Sequence, residues 1–218
     1  MERDQVSAAA QALRATPKEK PQFGDGRIRP VAAWSHAALA IRAELACVGV
    51  APASLEEVAE ARALAARLIG GRMAAARTIA RIHRDTGAGL FIVRGDDGPR
   101  GLLAFVLLSA VGARGAANDR FGALRPPAEH VARGGQEPAA IYSWAIAAAD
   151  KDAARRLIEG HERLRHAAVP HLPFYARMAT DDGRRLGIGK LGFKAVPGST
   201  SGLYWSQAKT PLAVEAAA

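Results

Sequence analysis

Apolar positions along the chain change period near its middle, and that change predicts the order of elements. From Val31 to Val50 the residues Trp34, Ala38, Ile41 and Leu45 recur at helical spacing. Gly49 and Pro52 end that segment, and Ser54-x-x-Glu57 opens a capping box before Leu55, Val58, Ala61, Ala65, Leu68 and Ile69. A helix over 54–84 is predicted, broken or bent at Gly70-Gly71. The pattern then becomes that of strands. Gly89–Val93 and Gly101–Val111 are short apolar runs flanking Arg94-Gly95-Asp96-Asp97-Gly98-Pro99, which reads as a hairpin. Ala140–Ala147, bounded by Gly134-Gly135-Gln136-Glu137-Pro138 and by Asp150-Lys151-Asp152, reads as a buried strand. Asp150 is a natural N-cap for a helix over 150–167 carrying Ala153, Leu157, Ile158 and Leu164. Pro170 and Pro173 stop it, Phe174–Ala179 returns as a strand, and Thr180-Asp181-Asp182 caps a helix over 181–191 before a last strand over 193–205.

Strand, crossover helix and strand imply a sheet with a right-handed connection. The long irregular stretch Asn118–Gln136 is of the kind that more often carries function than merely links elements. One domain over 31–208 is expected, preceded by a loose arm over 1–30 and followed by a tail over 209–218. A net charge of +9 favours acidic partners, but the basic residues form no consecutive tract, so a dedicated nucleic-acid surface is not expected. The single cysteine, Cys47, excludes an internal disulfide and a cysteine-based zinc site, and its apolar surroundings suggest a small core residue. His161, His166 and His171, five residues apart, fall on different helix faces, and no metal site is expected from them. There is no apolar run of membrane-spanning length and no signal-peptide pattern, so the cytoplasm is the expected location.

Lys190-Leu191-Gly192-Phe193 between a helix and a strand resembles the end of the last helix in the GCN5-related N-acetyltransferase superfamily. Gly192 suits a helix C′ position with positive φ, and Phe193 suits the first core residue of the next strand. The resemblance spans about Leu90 to Trp205 and follows the superfamily's order of elements. It implies an α/β (α+β) fold: a mixed, mostly antiparallel sheet flanked by helices, here with extra N-terminal helices. Arg184-x-x-Gly187-x-Gly189 fits the superfamily's pyrophosphate signature but stands in the last helix, the wrong element. At the corresponding place after Ile141–Ile146 the chain has no glycine and carries Asp150 and Asp152, which repel a pyrophosphate. The position of the superfamily's frequent Tyr acid holds Ile188.

A weaker resemblance is to toxin-activating lysine acyltransferases, which take acyl groups from acyl carrier protein. Trp34-Ser35-His36 and Ser143-Trp144-Ala145-Ile146-Ala147 match their short motifs, with Ser143 in place of an Asp. These resemblances imply His36 and Ser143 as catalytic candidates, and Tyr142, whose phenol could donate a proton although such strand aromatics are more often core, is a third. Trp144, Ile146, Ala147, Ala148, Arg155, Arg156 and Arg177 are the candidates for holding the donor. His36 suits a general base, although a surface histidine on a helix has the same sequence appearance. The function implied is an atypical acyltransferase that moves an acyl group from acyl carrier protein or acyl-CoA to an amine or hydroxyl. A non-catalytic binding or regulatory protein on the same fold remains the alternative. A cleft is expected between the strands ending at Ala147 and beginning at Phe174, lined by Trp144, Ile146, Tyr175 and Arg177. An acidic carrier protein would dock through Arg155, Arg156 and Arg177, and a homodimer is compatible with this reading.

Overall fold

The computed structural model of the chain describes residues 34–206, so the arm over 1–30 and the tail over 209–218 lie outside the described residues. Seven strands form one sheet in the order β1-β2-β3-β4-β5-β7-β6. They are β1 (Ala51–Pro52), β2 (Leu90–Gly95), β3 (Gly98–Leu108), β4 (Ala140–Ala148), β5 (Phe174–Arg177), β6 (Lys194–Ala195) and β7 (Leu203–Ser206). Every neighbouring pair is antiparallel except β4 and β5, which run parallel. This is the mixed, mostly antiparallel sheet that the acetyltransferase resemblance implies.

The helices are α1 (His36–Ala46), α2 (Glu57–Ile69), α3 (Ala76–Thr86), α4 (Ala110–Ala117), α5 (Lys151–Arg163) and α6 (Asp181–Arg184). α5 and α6 each run on into a wider π turn, Leu164–Ala168 and Arg185–Lys190. The helix expected over 54–84 is two helices, because Gly70 and Gly71 both take positive φ near 70° and the backbone turns between them. The expected strand end at 109–111 is instead the start of α4, where Ser109 Oγ accepts a hydrogen bond from the Gly112 amide. Gly112 and Gly115 lower the helical propensity of this segment and hid it from the sequence pattern. The last strand is interrupted by a turn into β6 and β7, and Gly192 takes the expected positive φ of 64°.

Side chains of β3 alternate strictly between two apolar layers. Leu103, Phe105 and Leu107 pack with Ile41 and Leu45 of α1 and with Ala153 and Leu157 of α5. Leu102 and Ala104 pack with Ala61, Leu64 and Ala65 of α2. Val106 and Leu108 pack with Ile82 of α3, Ala116 of α4 and Phe121. β4 breaks this regularity: Ala104 faces Ala145 and Phe105 faces Ser143, so Trp144 has no partner on β3. The bulge puts Trp144 and Ala145 on the same face, toward α2.

Candidate functional site

β4 and β5 pair over only three positions, Ile141 with Phe174, Tyr142 with Tyr175 and Ser143 with Ala176. β4 then continues to Ala148 while β5 ends at Arg177, so beyond the bulge β4 has no strand on its β5 side. A cavity of about 890 Å³ opens at this divergence and passes through the sheet. On one side it is lined by Ala61, Ala65, Ile69 and Met73 with Leu102 and Ala104. On the other it reaches His161, Met178, Leu186, Gly187, Leu191 and Phe193. Trp144, Ala145 and Ile146 of the diverging strand form its neck, and exposed Gly71, Arg72, Leu124 and Arg125 mark its mouth.

The polar groups of this cavity have one character. Arg62, Arg72, Arg125 and Arg177 line it, together with Tyr142, Ser143, Thr180 and His161, and none of the lining residues is Asp or Glu. Arg62 is fixed by its Nε donating to the Ala74 carbonyl at 2.8 Å. Arg177 donates to Asp119 Oδ1 at 3.0 Å and to Ser201 Oγ at 2.8 Å, and its Nη1 lies 3.5 Å from the Tyr142 hydroxyl. Asp119, held in the left-handed region at φ 54°, also accepts from Ser199 Oγ at 2.9 Å and from the Ser201 amide at 3.1 Å. The Ser201 hydroxyl, followed by Arg177 and Ser199, holds the Asp119 carboxyl down to about 2. Burial pushes the Tyr142 phenol up, so it keeps its proton at neutral pH. The Trp144 indole donates to the Ala123 carbonyl at 2.7 Å and pins the Phe121–Arg125 loop over the neck.

His161 is the residue the sequence did not single out for this place. It is fully buried among Phe105, Phe174 and Phe193, with ring centroids 6.5, 5.3 and 6.1 Å away, and neither ring nitrogen has a hydrogen-bond partner. Burial, with Arg165 nearby, lowers its pKa to about 3, so the imidazole is neutral. Ser143 is 6% exposed and its hydroxyl also lacks a partner. His83 provides a contrast. Its Nε2 donates to the Ala53 carbonyl at 2.9 Å and its Nδ1 accepts from the Leu90 amide at 3.0 Å, so both nitrogens are satisfied in the core.

Of the sequence candidates, the structure brings Tyr142, Ser143, Trp144, Ile146 and Arg177 to the cavity. His36 does not line it: the side chain is 99% exposed and its Nδ1 lies 3.1 Å from Glu137, whose carboxylate also accepts the His36 and Ala37 amides. It is the first residue of α1, and Glu137 and Ser35 finish that helix end. Ala147 and Ala148 are taken up in the ladder with Leu102 and Gly101 and fall outside the lining. Tyr175 is turned away from the cavity into the layer with Val106 and Leu203. Arg155 and Arg156 are engaged on the surface of α5 by Asp152, with Arg155 also near Glu159. Cys47 is exposed rather than in the core, its Sγ toward the Ala43 carbonyl.

The first turn of α5, the place at which the sequence resemblance implies a pyrophosphate, is filled from within. Asp150 Oδ1 accepts from the Ala153 amide at 3.0 Å, and its Oδ2 accepts from Arg100 Nε at 2.8 Å. The Ala153 amide, with Arg100, holds the Asp150 carboxyl below its ordinary range. A diphosphate there would meet a carboxylate that is ionised at neutral pH. Gly187 lies on the last helix as expected and forms cavity wall: a Cβ there would collide with Met178. Arg184 is paired with Asp181 at 2.6 Å instead.

Among the described residues no group of three or more His, Cys, Asp or Glu is placed to hold a metal. No helix among them is long and apolar enough to cross a membrane. No protein-family model matches the chain. No curated protein matches it. Among solved structures it is similar to the GphF GNAT-like decarboxylase in complex with isobutyryl-CoA. The identity is 16%, over 64% of this chain and 71% of that one, with a TM-score of 0.42. At that level of likeness the fold rests on the strand order and the site on its own geometry.

Proposed function

We propose that the protein is an acyltransferase whose cavity at the β4–β5 divergence takes the acyl chain and pantetheine arm of a thioester donor. One observation carries this reading: an opening of about 890 Å³ at the parallel β4–β5 pair, apolar inside and bearing cationic but no anionic side chains. Such a lining suits a long apolar ligand with a negatively charged end. The unpaired edge of β4 beyond Ser143 offers backbone groups to the amides of the arm, as a missing strand would. The arginines at the mouth, Arg72 and Arg125, suit its single phosphate.

Asp150 favours acyl carrier protein over coenzyme A as donor, because the carrier's arm brings no diphosphate to the start of α5. An acidic carrier then docks at Arg72 and Arg125 rather than at Arg155 and Arg156, which are already paired. Tyr142, which stays a phenol, is the proton donor for the departing thiolate, and the attacking amine or hydroxyl loses its proton to solvent. A second reading, binding of the thioester without turnover, is favoured by the lack of a suitable base. The one lining histidine is pushed to about 3, and none of the lining residues is a carboxylate.

The test is titration with decanoyl acyl carrier protein and decanoyl-CoA, followed by release of free thiol with an amine acceptor. The proposal predicts tighter binding of the carrier thioester, weakening as salt rises, and thiol release that falls at least ten-fold in Tyr142→Phe with binding kept. Binding without release supports the second reading. Binding of neither donor contradicts both.

A further inference from the structure

Two of the residues whose buried polar atoms lack a partner, Ser143 and His161, line one chamber. On β4, Ile141 and Ser143 point to the layer packed by α5, because the bulge comes only after Ser143. Ser143 lies opposite Phe105 on β3 and Ala176 on β5, both in that layer. His161 stands over the same place, ringed by Phe105, Phe174 and Phe193. Both residues line the cavity, and three of their polar atoms, Ser143 Oγ and both His161 ring nitrogens, have no partner. Leaving such groups unpaired is costly, and a leucine at position 161 would fill an aromatic nest without that cost. The other buried histidine, His83, has both ring nitrogens bonded, while half-buried His130 keeps one buried nitrogen without a partner.

We propose that Ser143 and His161 form a polar subsite inside the acyl cavity that selects a chain carrying a neutral oxygen, a hydroxyl or keto group, next to its thioester. This rests on the acyl-thioester reading of the cavity and adds the chemical class of the chain. The position follows from the strand: Ser143 immediately precedes the bulge, where the unpaired edge of β4 would hold the thioester, so a substituent on the adjoining carbons meets it. Neutrality follows from the surroundings. A neutral imidazole offers one donor and one acceptor and a serine hydroxyl offers both, enough for a hydroxyl or ketone. Three phenyl rings and no carboxylate would leave an added positive charge without compensation, and desolvation in the aromatic nest disfavours a charge of either sign.

The experiment uses the full chain and two probes, decanoyl pantetheine and β-hydroxydecanoyl pantetheine, measured by calorimetry on the wild type, Ser143→Ala and His161→Leu. The hydroxylated chain is expected to bind about ten-fold tighter to the wild type. Each variant should bring that ratio toward one. Equal binding of the two probes by the wild type, or a ratio unchanged in both variants, overturns the subsite while leaving the acyl reading in place. Variants that weaken both probes alike place the two residues on the pantetheine arm and also overturn it. If neither probe binds, the acyl reading fails and the subsite with it. A fold lost in His161→Leu is recognised from its unfolding curve, and Ser143→Ala then decides alone.

Discussion

Two buried histidines, two kinds of burial. His83 ties α3 to the start of β2 and to the Ala53 carbonyl, whereas His161 ties nothing. Burial, in both cases the main cause, lowers them to about 4 and about 3, with Arg42 adding to the effect on His83 and Arg165 to that on His161. Between those values and the ordinary 6.5 the unfolded chain binds protons that the folded chain does not. Their stability contribution is therefore complete above about pH 6.5 and is lost as pH falls toward 4, by at most about 1.4 kcal/mol per pH unit for each. Urea unfolding at pH 7 and pH 5 should show His161→Leu losing less stability than the wild type over that interval. At pH 7 the variant should be more stable by about 1 kcal/mol, because the orphan nitrogens are gone. Equal losses in both proteins would mean that His161 is not held neutral. Asp119→Ala should cost about 1–2 kcal/mol and Asp119→Asn less, since Asn keeps the left-handed backbone and one acceptor. This is measurable as the shift of the same urea midpoint. The place of His161 was not legible in the sequence because its neighbours come from β3, β5 and the segment after α6. Spacing within one helix, which removed it as a metal ligand, says nothing of a partner across a sheet.

Helix ends decide what the elements can bind. Asp150 was read from the sequence as an N-cap, and it is one; the same residue closes the anion site that a helix start otherwise offers. Asp150→Asn retains an accepting oxygen and removes the charge. It should leave the melting temperature nearly unchanged and tighten decanoyl-CoA more than decanoyl pantetheine, which competition calorimetry reads directly. If both donors respond alike, the diphosphate does not approach α5. α1 shows the reverse case. His36 looked like a base on its motif, but Glu137, 101 residues away, caps the helix start and takes the imidazole with it. That contact depends on where the 118–136 connection ends, and no local pattern encodes it. The hairpin, the crossover helix and the Gly192 stop were legible because each rests on turn or cap chemistry a few residues long. The bulge at Trp144 was not, since no glycine marks it and only the register with β3 reveals it.

At the scale of the molecule, a sheet that stays whole through β3 and opens after Ser143 creates both the cavity and its polarity. An opening lies between β4 and β5 where the cleft was expected, and of the arginines named for it from the sequence Arg177 lines it while Arg155 and Arg156 do not. Arginines on α5 spend their charge on neighbouring acids, while those of the 70–73 turn and the 121–125 loop reach the mouth. Gly187 belongs to the same geometry. Gly187→Ala displaces only the flexible end of Met178 and should move the urea stability by less than about 1 kcal/mol while narrowing the inner wall. The central claim is that the opening at the β4–β5 divergence is where an acyl chain sits. Calorimetric titration of decanoyl phosphopantetheine into the wild type and into Ala176→Phe, which fills the gap beside Ser143, tests it most directly. The account predicts saturable one-to-one binding to the wild type and its loss in a variant that still unfolds cooperatively. No saturable binding to the wild type, or equal binding to both, would contradict it.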